Sequence, residues 1–263
     1  MLAPPISSRR NPLVARFRAA ADGDDDTMLL DGDHLVAEAL DAGRTLEVVA
    51  FVADRIPSGL LARVTAALAA DRLVPVTPLV IEALSPVRTP SGIVALASRP
   101  RWALVDCLRA AHALVLMAVD IQDPGNLGAI VRSAEAGGAT AVVGTSAGAD
   151  PFGWKALRGS MGSALRLPLA RIASVALAID AARKAGCQVV AATGGIGTSL
   201  YDIDLRPPSL VLLGREGDGL SEADAARADR RLTIPMERPV ESLNVAVAAG
   251  LIVYEARRQR AAR

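Results

Sequence analysis

The second half of the chain alternates short apolar segments with helical segments, and this alternation restricts the possible folds more than any other feature. Strand-like segments lie at residues 113–119, 141–143, 188–192, 210–213 and 232–234. Polar or glycine-rich loops follow these strands, and helical patterns separate them along the chain. Strands joined in this way lie parallel in one sheet. We therefore predict an α/β fold whose ligands bind beyond the carboxyl ends of the strands.

Length and composition allow two domains with an aliphatic core. The chain has 263 residues, of which 51% are hydrophobic and only 3% aromatic, so small aliphatic side chains fill the interior. Residues 1–98 form a small α/β series of their own, and the pattern breaks at residues 99–107. We predict two domains, residues 1–105 and residues 106–263.

Charge and cysteine usage indicate a soluble cytoplasmic protein. The formal net charge is +1, so a nucleic acid would have to be bound by local basic patches. Cys107 and Cys187 lie far apart and show no metal-ligand spacing. The N-terminal residues lack the apolar core of a signal peptide, and no apolar run reaches membrane-spanning length. We expect neither a metal nor a membrane partner.

The loop after the first of these strands carries polar residues that lead into a helix. We predict that Asn126 caps this helix, and Arg132 follows six positions later among apolar residues. A phosphate is the obvious bidentate partner for such an arginine, and a salt bridge to Glu135 is the alternative. Asp120 and Asp123 are compatible with Mg²⁺, but carboxylates in a turn more often cap a helix.

Two glycine-rich loops follow later strands. Residues 213–221 contain three glycines but lack the Lys-Ser/Thr pair of a P-loop. Glu216 in this loop would repel a pyrophosphate and suits a ribose hydroxyl or a cationic ligand better. The loop at 193–198 also offers backbone donors, and we expect Thr193 and Gly194 to form part of the wall of the ligand site.

The last loop leads into an apolar helix near the C-terminus. Ser242 is predicted to be its N-cap, and Asn244 is predicted to lie in its first turn, with free amide donors facing the loop. A well-capped helix without a ligand is the alternative. His34 and His112 are the only histidines and lie outside these loops, so no Ser–His or Cys–His pair is expected.

Residues 126–134, 212–221 and 234–250 resemble, in this order, the three motifs of the SpoU (TrmH-like) RNA 2′-O-ribose methyltransferases of the SPOUT class. The resembling sequences are NLGAIVRSA, LLGREGDGLS and IPMERPVESLNVAVAAG. The resemblance extends over residues 113–260. More loosely, the N-terminal part is similar to the substrate-binding domain of ribosomal-protein-L30 type that is often fused to these enzymes.

The resemblance implies a donor, a fold and an assembly. The methyl donor would be S-adenosylmethionine, bound in a C-terminal trefoil knot, and the enzyme would be a homodimer without a metal. Gly214, Ile234 and Leu243 would contact the cofactor. The residues on the catalytic side would be Asn126, Arg132, Glu216, Ser242 and Asn244.

The implied reaction is methyl transfer to a ribose 2′-hydroxyl of structured RNA. We expect the substrate to be rRNA, and tRNA is the second candidate. The protein must align the hydroxyl with the methyl group and relieve it of its proton. Arginine is a poor base because its guanidinium stays charged. We therefore favour Arg132 as a phosphate clamp that stabilises the developing alkoxide, and its action as the base is the alternative.

Two features of the sequence leave the RNA contacts open. Arg215 and Arg238 differ from the usual residues of the family, and they would contact RNA phosphates or pair with Glu216 and Glu237. A basic N-terminal face would suit an RNA backbone or remain solvated; it consists of Arg9, Arg10, Arg16 and Arg18.

Two other functions fit part of the sequence. An NAD-type oxidoreductase shares a parallel sheet with glycine loops, but the Gly-x-Gly-x-x-Gly turn is missing. A non-catalytic RNA-binding or ribosome-assembly protein would keep the fold without the reaction.

Overall fold

The computed structural model describes residues 4–23 and 26–261, which form two compact units. The first unit lies within Met1–Pro100 and Phe152–Arg166, and the second lies within Arg101–Pro151 and Leu167–Arg263. The segment Phe152–Arg166 therefore packs with the first unit, although we predicted it to be part of the second domain. Sequence order gave no sign of this return, because its cause is packing between residues far apart in the chain.

The first unit is built on a four-stranded sheet in the order β1-β4-β2-β3. Strand β4 is antiparallel to β1 and β2, and β2 is parallel to β3. The strands are β1 Thr27–Asp31, β2 Leu46–Phe51, β3 Leu73–Pro75 and β4 Ile93–Ser98. Its helices are α1 Pro12–Asp22, α2 Asp33–Asp41, α3 Ser58–Ala67, α4 Pro78–Leu84 and, later in the chain, α7 Trp154–Ser160. Short 3-10 helices lie at Ala70–Arg72 and Ser163–Leu165.

The returning segment Phe152–Arg166 is held in the first unit by polar and apolar contacts. Arg166 forms an ion pair with Glu38 of α2. Arg44 donates a hydrogen bond of 2.7 Å to the carbonyl of the residue before Arg166. Trp154 packs against the buried core of this unit. The first unit is therefore complete only with a segment that lies about fifty residues further along the chain.

The second unit contains a seven-stranded sheet in the order β7-β6-β5-β10-β8-β11-β9. Every pair in it is parallel, which confirms the predicted α/β fold with a parallel sheet. Its strands are β5 Leu114–Ala118, β6 Ala141–Thr145, β7 Leu169–Ile172, β8 Gln188–Ala192, β9 Thr198–Ser199, β10 Ser209–Leu213 and β11 Arg230–Thr233. The helices are α5 Leu104–Leu108, α6 Pro124–Gly137, α8 Val175–Lys184, α9 Glu222–Ala225 and α10 Val245–Ala261.

Four neighbouring strands bring the predicted site loops to one edge of this sheet. In the register of the sheet, Ala118 lies beside Leu213 and Leu212 lies beside Ala191, which in turn lies beside Arg231. The ends of β5, β10, β8 and β11 are therefore level to within a few residues. Because the strands run in the same direction, the four loops that follow them meet at the carboxyl edge.

Strand β11 lies between β8 and β9, although β8 and β9 are joined by only five residues, 193–197. Ala192 and Thr198 both pair with Leu232, from opposite sides of β11. The loop therefore crosses β11 at close range. A Cβ on Gly197 would lie 2.8 Å from the carbonyl oxygen of Arg231, so only glycine fits at this crossing.

Helix α10 is held in the second unit by contacts along its middle and at its C-terminal end. It packs closely on α6, where a Cβ on Gly137 would lie 2.2 Å from Cγ1 of Val253. At its C-terminal end Arg260 donates hydrogen bonds of 2.9 Å to the carbonyl of Leu205 and 2.7 Å to that of His112. These contacts fix the helix whose first turn borders the fourth loop.

Both cysteines are buried and unpaired. Burial, with the nearby charge of Asp106, raises the pKa of the Cys107 thiol to about 11. This thiol is therefore neutral at ordinary pH and belongs to the apolar core of the second unit. Separately, no helix in the described part of the chain is long and apolar enough to cross a membrane.

We expect Gly197→Ala to lower the free energy of unfolding by about 1–3 kcal/mol, because the added methyl group overlaps a strand carbonyl. Denaturant unfolding measures the change. Gly194→Ala is the matched control from the same loop, since a Cβ at Gly194 meets nothing within 4 Å. Equal stability of the two variants would contradict the close crossing.

Candidate active site

A chain of side-chain hydrogen bonds joins three of the loops at the carboxyl edge. Asn244 Nδ2 donates to Asn126 Oδ1 at 2.9 Å, and Asn126 Nδ2 donates to Glu216 Oε1 at 2.7 Å. These residues are 118 and 90 positions apart in the sequence. The structure thus brings together three residues that the sequence analysis assigned to the catalytic side. The amide of Asn126 is oriented by both neighbours, as a donor to one and an acceptor from the other.

The first loop differs from the prediction in its helix cap. Helix α6 begins at Pro124, and Asp123 Oδ1 accepts a hydrogen bond of 2.8 Å from the backbone N–H of Asn126. Asp123 is therefore the N-cap, and the prediction that Asn126 caps the helix was wrong. The proline at the first helical position favours this earlier start. Since its side chain is not used as a cap, Asn126 can contact Glu216.

The start of α10 corrects a second prediction. Asn244 Oδ1 accepts hydrogen bonds from the backbone N–H groups of Ala246 at 2.9 Å and Val247 at 3.3 Å, so Asn244 is the N-cap. The predicted cap Ser242 is exposed in the preceding loop. Serine and asparagine cap helices about equally well, so the sequence alone did not distinguish them. Asn244 therefore both caps α10 and orients Asn126.

The loop that carries Glu216 is a narrow turn that closes on its own backbone. A Cβ on Gly214 would lie 2.1 Å from the carbonyl carbon of Gly219, so this position has room only for glycine. The N–H of Gly219 donates to the carbonyl of Arg215 at 3.0 Å. Arg215 pairs with Asp218 at 2.9 Å rather than with Glu216. Glu216 is thus exposed on a fixed turn and directed to Asn126.

The predicted cofactor residues follow three adjacent strands. Gly214 comes directly after β10, Thr193 after β8 and Ile234 after β11. Thr193 is fixed by its own loop, because its N–H donates to Leu232 at 2.8 Å and its hydroxyl donates to the carbonyl of Ile196 at 2.6 Å. Open space lies beside Gly194, and Leu243 is 37% exposed just before the cap of α10.

Arg132 is not part of the hydrogen-bonded chain. It is exposed on α6, and it makes no ion pair with any residue in the described ranges, so the alternative pairing with Glu135 is not formed there. It lies six positions after Asn126 on the helix, which corresponds to about 9 Å along the axis and about 120° around it. Its guanidinium is therefore available to a ligand that reaches beyond the chain of three residues.

Comparison with known proteins decides the family. A profile of the SpoU rRNA Methylase family matches residues 113–254. The chain belongs to the SpoU rRNA methylase family. The profile covers all four loops at the carboxyl edge, including each of the residues that the sequence analysis assigned to the site. This membership favours the methyltransferase prediction over an NAD-type oxidoreductase.

Curated relatives in this family match nearly the whole chain. An uncharacterized tRNA/rRNA methyltransferase of Synechocystis is 33% identical over 97% of this chain and 94% of its own length. The 23S rRNA (guanosine(2553)-2′-O)-methyltransferase RlmP of Bacillus subtilis is 32% identical over 88% of both chains.

Solved structures of methyltransferases share the fold. An AdoMet-bound rRNA methyltransferase from Sinorhizobium meliloti is 28% identical, with a TM-score of 0.85 over 97% of both chains. The AdoMet complex of the SpoU methyltransferase AviRb from Streptomyces viridochromogenes is 28% identical, with a TM-score of 0.85 over 96% of this chain and 99% of that chain.

The described part of this SpoU chain contains no cluster of side chains that could bind a metal ion. No three His, Cys, Asp or Glu side chains there could together hold a metal ion. Asp120 and Asp123, which we considered for Mg²⁺, have other partners: Asp123 caps α6, and Asp120 accepts from Thr145 at 2.7 Å.

We expect Asn244→Ala to lower the free energy of unfolding by about 1 kcal/mol, because α10 loses its cap. Asn244→Asp should cost less, since a carboxylate still caps the helix and interacts favourably with its dipole. Asn11→Ala is the matched control: Asn11 caps α1 by accepting from Leu13 N–H at 2.9 Å. If Asn244→Ala and Asn244→Asp proved equally unstable in denaturant titrations, capping would not be the role of Asn244 in stability.

Proposed function

We propose that this protein transfers a methyl group from S-adenosylmethionine to a ribose 2′-hydroxyl of ribosomal RNA. The observation that carries this proposal is the hydrogen-bonded chain of Asn244, Asn126 and Glu216 at the carboxyl edge of a SpoU-type sheet. RlmP, with which 32% of the aligned residues are identical, is named as a 2′-O-methyltransferase of 23S rRNA. Transfer RNA is the second candidate substrate.

The loops after β8, β10 and β11 would hold the methyl donor. Thr193, Gly214 and Ile234 border one edge, and the free space beside Gly194 allows a ligand to approach the backbone. Leu243 is partly exposed at the same end of the unit. Bound there, S-adenosylmethionine supplies a methyl carbon that its sulfonium already activates. These small and apolar residues fit such a ligand, because they leave room and add no competing charge.

The residues of the chain would orient the RNA ribose. Asn126 is fixed by two hydrogen bonds and so presents its amide in one orientation. Only Oε1 of Glu216 accepts from Asn126, and Oε2 makes no hydrogen bond with a described residue. This second oxygen can accept a hydrogen bond from a ribose hydroxyl. Orientation by such pre-set groups can lower a barrier substantially without any change in the chemistry of the donor. Ser242, exposed two residues before the cap, is proposed to contact the same ribose or its phosphate.

Arg132 would clamp an RNA phosphate and stabilise the alkoxide that develops on the ribose. Its exposed guanidinium lacks an ion-pair partner among the described residues. A guanidinium offers two parallel donors to a phosphate and keeps its charge in proteins. Stabilising the alkoxide makes the 2′-hydroxyl easier to deprotonate, and the proton can then pass to solvent.

We also infer that the C-terminal part of the second unit is a trefoil knot. The support is the position of β11 between β8 and β9, which are joined by a short loop that crosses it at Gly197. A crossover between parallel strands normally takes a dozen or more residues and includes a helix. The five-residue connection is compatible with a path in which the later strand passes through a loop formed by the earlier chain, and we propose this path.

The first unit would bind RNA as an L30-like domain, with residues 1–105 supplemented by the returning segment Phe152–Arg166. Of the predicted basic face, Arg9 pairs with Glu82 at 3.1 Å and Arg16 pairs with Glu47. Arg10 and Arg18 make no ion pair with described residues and are the better candidates for phosphate contacts.

A homodimer would cover the exposed face of α10. Val247, Leu251 and Tyr254 are 52%, 41% and 53% exposed and lie four and three residues apart, so they form one apolar stripe. Tyr201, 62% exposed, lines the same groove as Leu251 and Tyr254. Apolar surface of this kind commonly marks an interface between proteins. We infer that the same stripe of a second copy packs against it.

We also propose a reduced cytoplasmic location for the protein, because both cysteines are free.

The proposed activity predicts incorporation of labelled methyl groups from S-adenosylmethionine into rRNA. The product should resist alkaline hydrolysis at one nucleotide, because a 2′-O-methyl group removes the nucleophile that cleaves the RNA backbone. Primer extension at low nucleotide concentration locates that nucleotide. RNA that binds the protein tightly but gains no label would instead favour the non-catalytic RNA-binding alternative.

We expect Arg132→Lys to lower the turnover number by about tenfold or more, because lysine cannot bind a phosphate with two parallel donors. The affinity for S-adenosylmethionine, measured by calorimetry, should stay the same. Arg72→Lys in the first unit is a control for a general loss of arginine from the surface. Full turnover in Arg132→Lys would exclude bidentate clamping.

A further inference from the structure

A buried threonine fixes the backbone of the loop that carries Asn126. Asp120, two residues after β5, has a φ of 52°, which is in the left-handed region that residues other than glycine rarely adopt. Its N–H donates to Thr145 Oγ1 at 2.8 Å, and this hydroxyl donates to Asp120 Oδ1 at 2.7 Å. Thr145 is 3% exposed at the end of β6. The reciprocal pair therefore holds a strained residue in one conformation.

The loop after β6 supports the same turn at further points. The N–H of Ala149 donates to the carbonyl of Ile121 at 2.7 Å. Gln122 Nε2 donates to the carbonyls of Asp120 and Ala147, each at 3.1 Å. The turn at 120–122 is thus held against β6 and its loop by a backbone hydrogen bond as well as by side chains.

The constrained turn leads directly to the polar chain of the site. Three residues after Asp120, Asp123 caps α6 through the N–H of Asn126. The side chain of Asn126 then contacts Glu216 and Asn244. A change in the turn would move the start of α6, and with it Asn126, relative to two loops that are anchored on other strands.

We propose that Thr145 is a positioning residue for methyl transfer, which acts through Asp120 on the placement of Asn126. The inference rests on the proposed function, since it assigns a role in the same reaction. Thr145 touches neither substrate nor donor in this role. Its hydroxyl sets the geometry of the loop, and misplacement of a reacting group by about 1 Å can cost about a hundredfold in rate.

A matched control lies at the other end of the same pair of strands. Thr140, just before β6 at the opposite edge of the sheet, accepts from the N–H of Leu114 at 3.1 Å and donates to its carbonyl at 3.2 Å. Thr140 therefore makes the same kind of reciprocal contact between β5 and β6, at the end of the strands away from the four loops. Thr145→Val and Thr140→Val remove equivalent hydroxyl groups.

The experiment measures turnover number, KM for RNA and thermal stability in the full-length protein. We expect Thr145→Val to lower the turnover number about tenfold or more while KM changes less than about threefold. Thr145→Ser, which keeps the hydroxyl, should retain most of the turnover. Thr140→Val should lose similar stability without the loss of turnover. If the turnover number of Thr145→Val were no lower than that of Thr140→Val, Thr145 would have a structural role only.

Asp120→Gly tests the same contact if Thr145→Val fails to fold. Glycine adopts the left-handed conformation without strain but lacks the carboxylate. Turnover should therefore fall as in Thr145→Val, and unchanged turnover would overturn the proposal.

A second measurement does not need the reaction. The side-chain amide resonance of Asn126, identified by its loss in Asn126→Ala, should shift in Thr145→Val but not in Thr140→Val. An inactive wild type would refute the proposed function, whereas an unshifted resonance would refute the positioning role.

Discussion

The parallel register of β5, β10, β8 and β11 is the constraint on which the rest of the second unit depends. It places the ends of four strands level at one edge, so that loops from widely separated parts of the sequence meet. None of these loops could form the polar chain alone, because its three members follow β5, β10 and β11 in turn. The fold therefore determines the relative positions of the side chains, and the loops determine their orientation.

Close backbone contacts make this arrangement specific. Gly197 lies against the peptide carbonyl of Arg231 where the loop crosses β11, and Gly214 lies against the backbone of Gly219. At both positions a methyl group would overlap atoms that cannot move independently of a strand or turn. Such contacts limit the number of conformations that the edge can adopt, which favours a pre-organised site.

Several polar side chains have two structural roles. Asn244 caps α10 through Oδ1 and orients Asn126 through Nδ2. The carboxylate of Asp120 accepts a hydrogen bond from the Thr145 hydroxyl, and the N–H of Asp120 donates one to the same hydroxyl. A substitution at such a position changes both helix or loop stability and the placement of a neighbour. Variants that separate the two roles, such as a carboxylate that keeps a cap, are therefore more informative than alanine alone.

The sequence by itself determined the alternation of strands and helices and the parallel sheet, and its resemblance to the SpoU motifs predicted that Asn126, Glu216 and Asn244 lie together. These follow from local apolar patterns and from motifs. Only the tertiary structure decided that Asn244 rather than Ser242 caps α10, and that Phe152–Arg166 packs in the first unit. It also decided the strand order and the reciprocal contact of Thr145 with Asp120, neither of which the sequence analysis predicted. These features depend on contacts between residues far apart in the chain, and no local pattern records which distant partner a residue will meet.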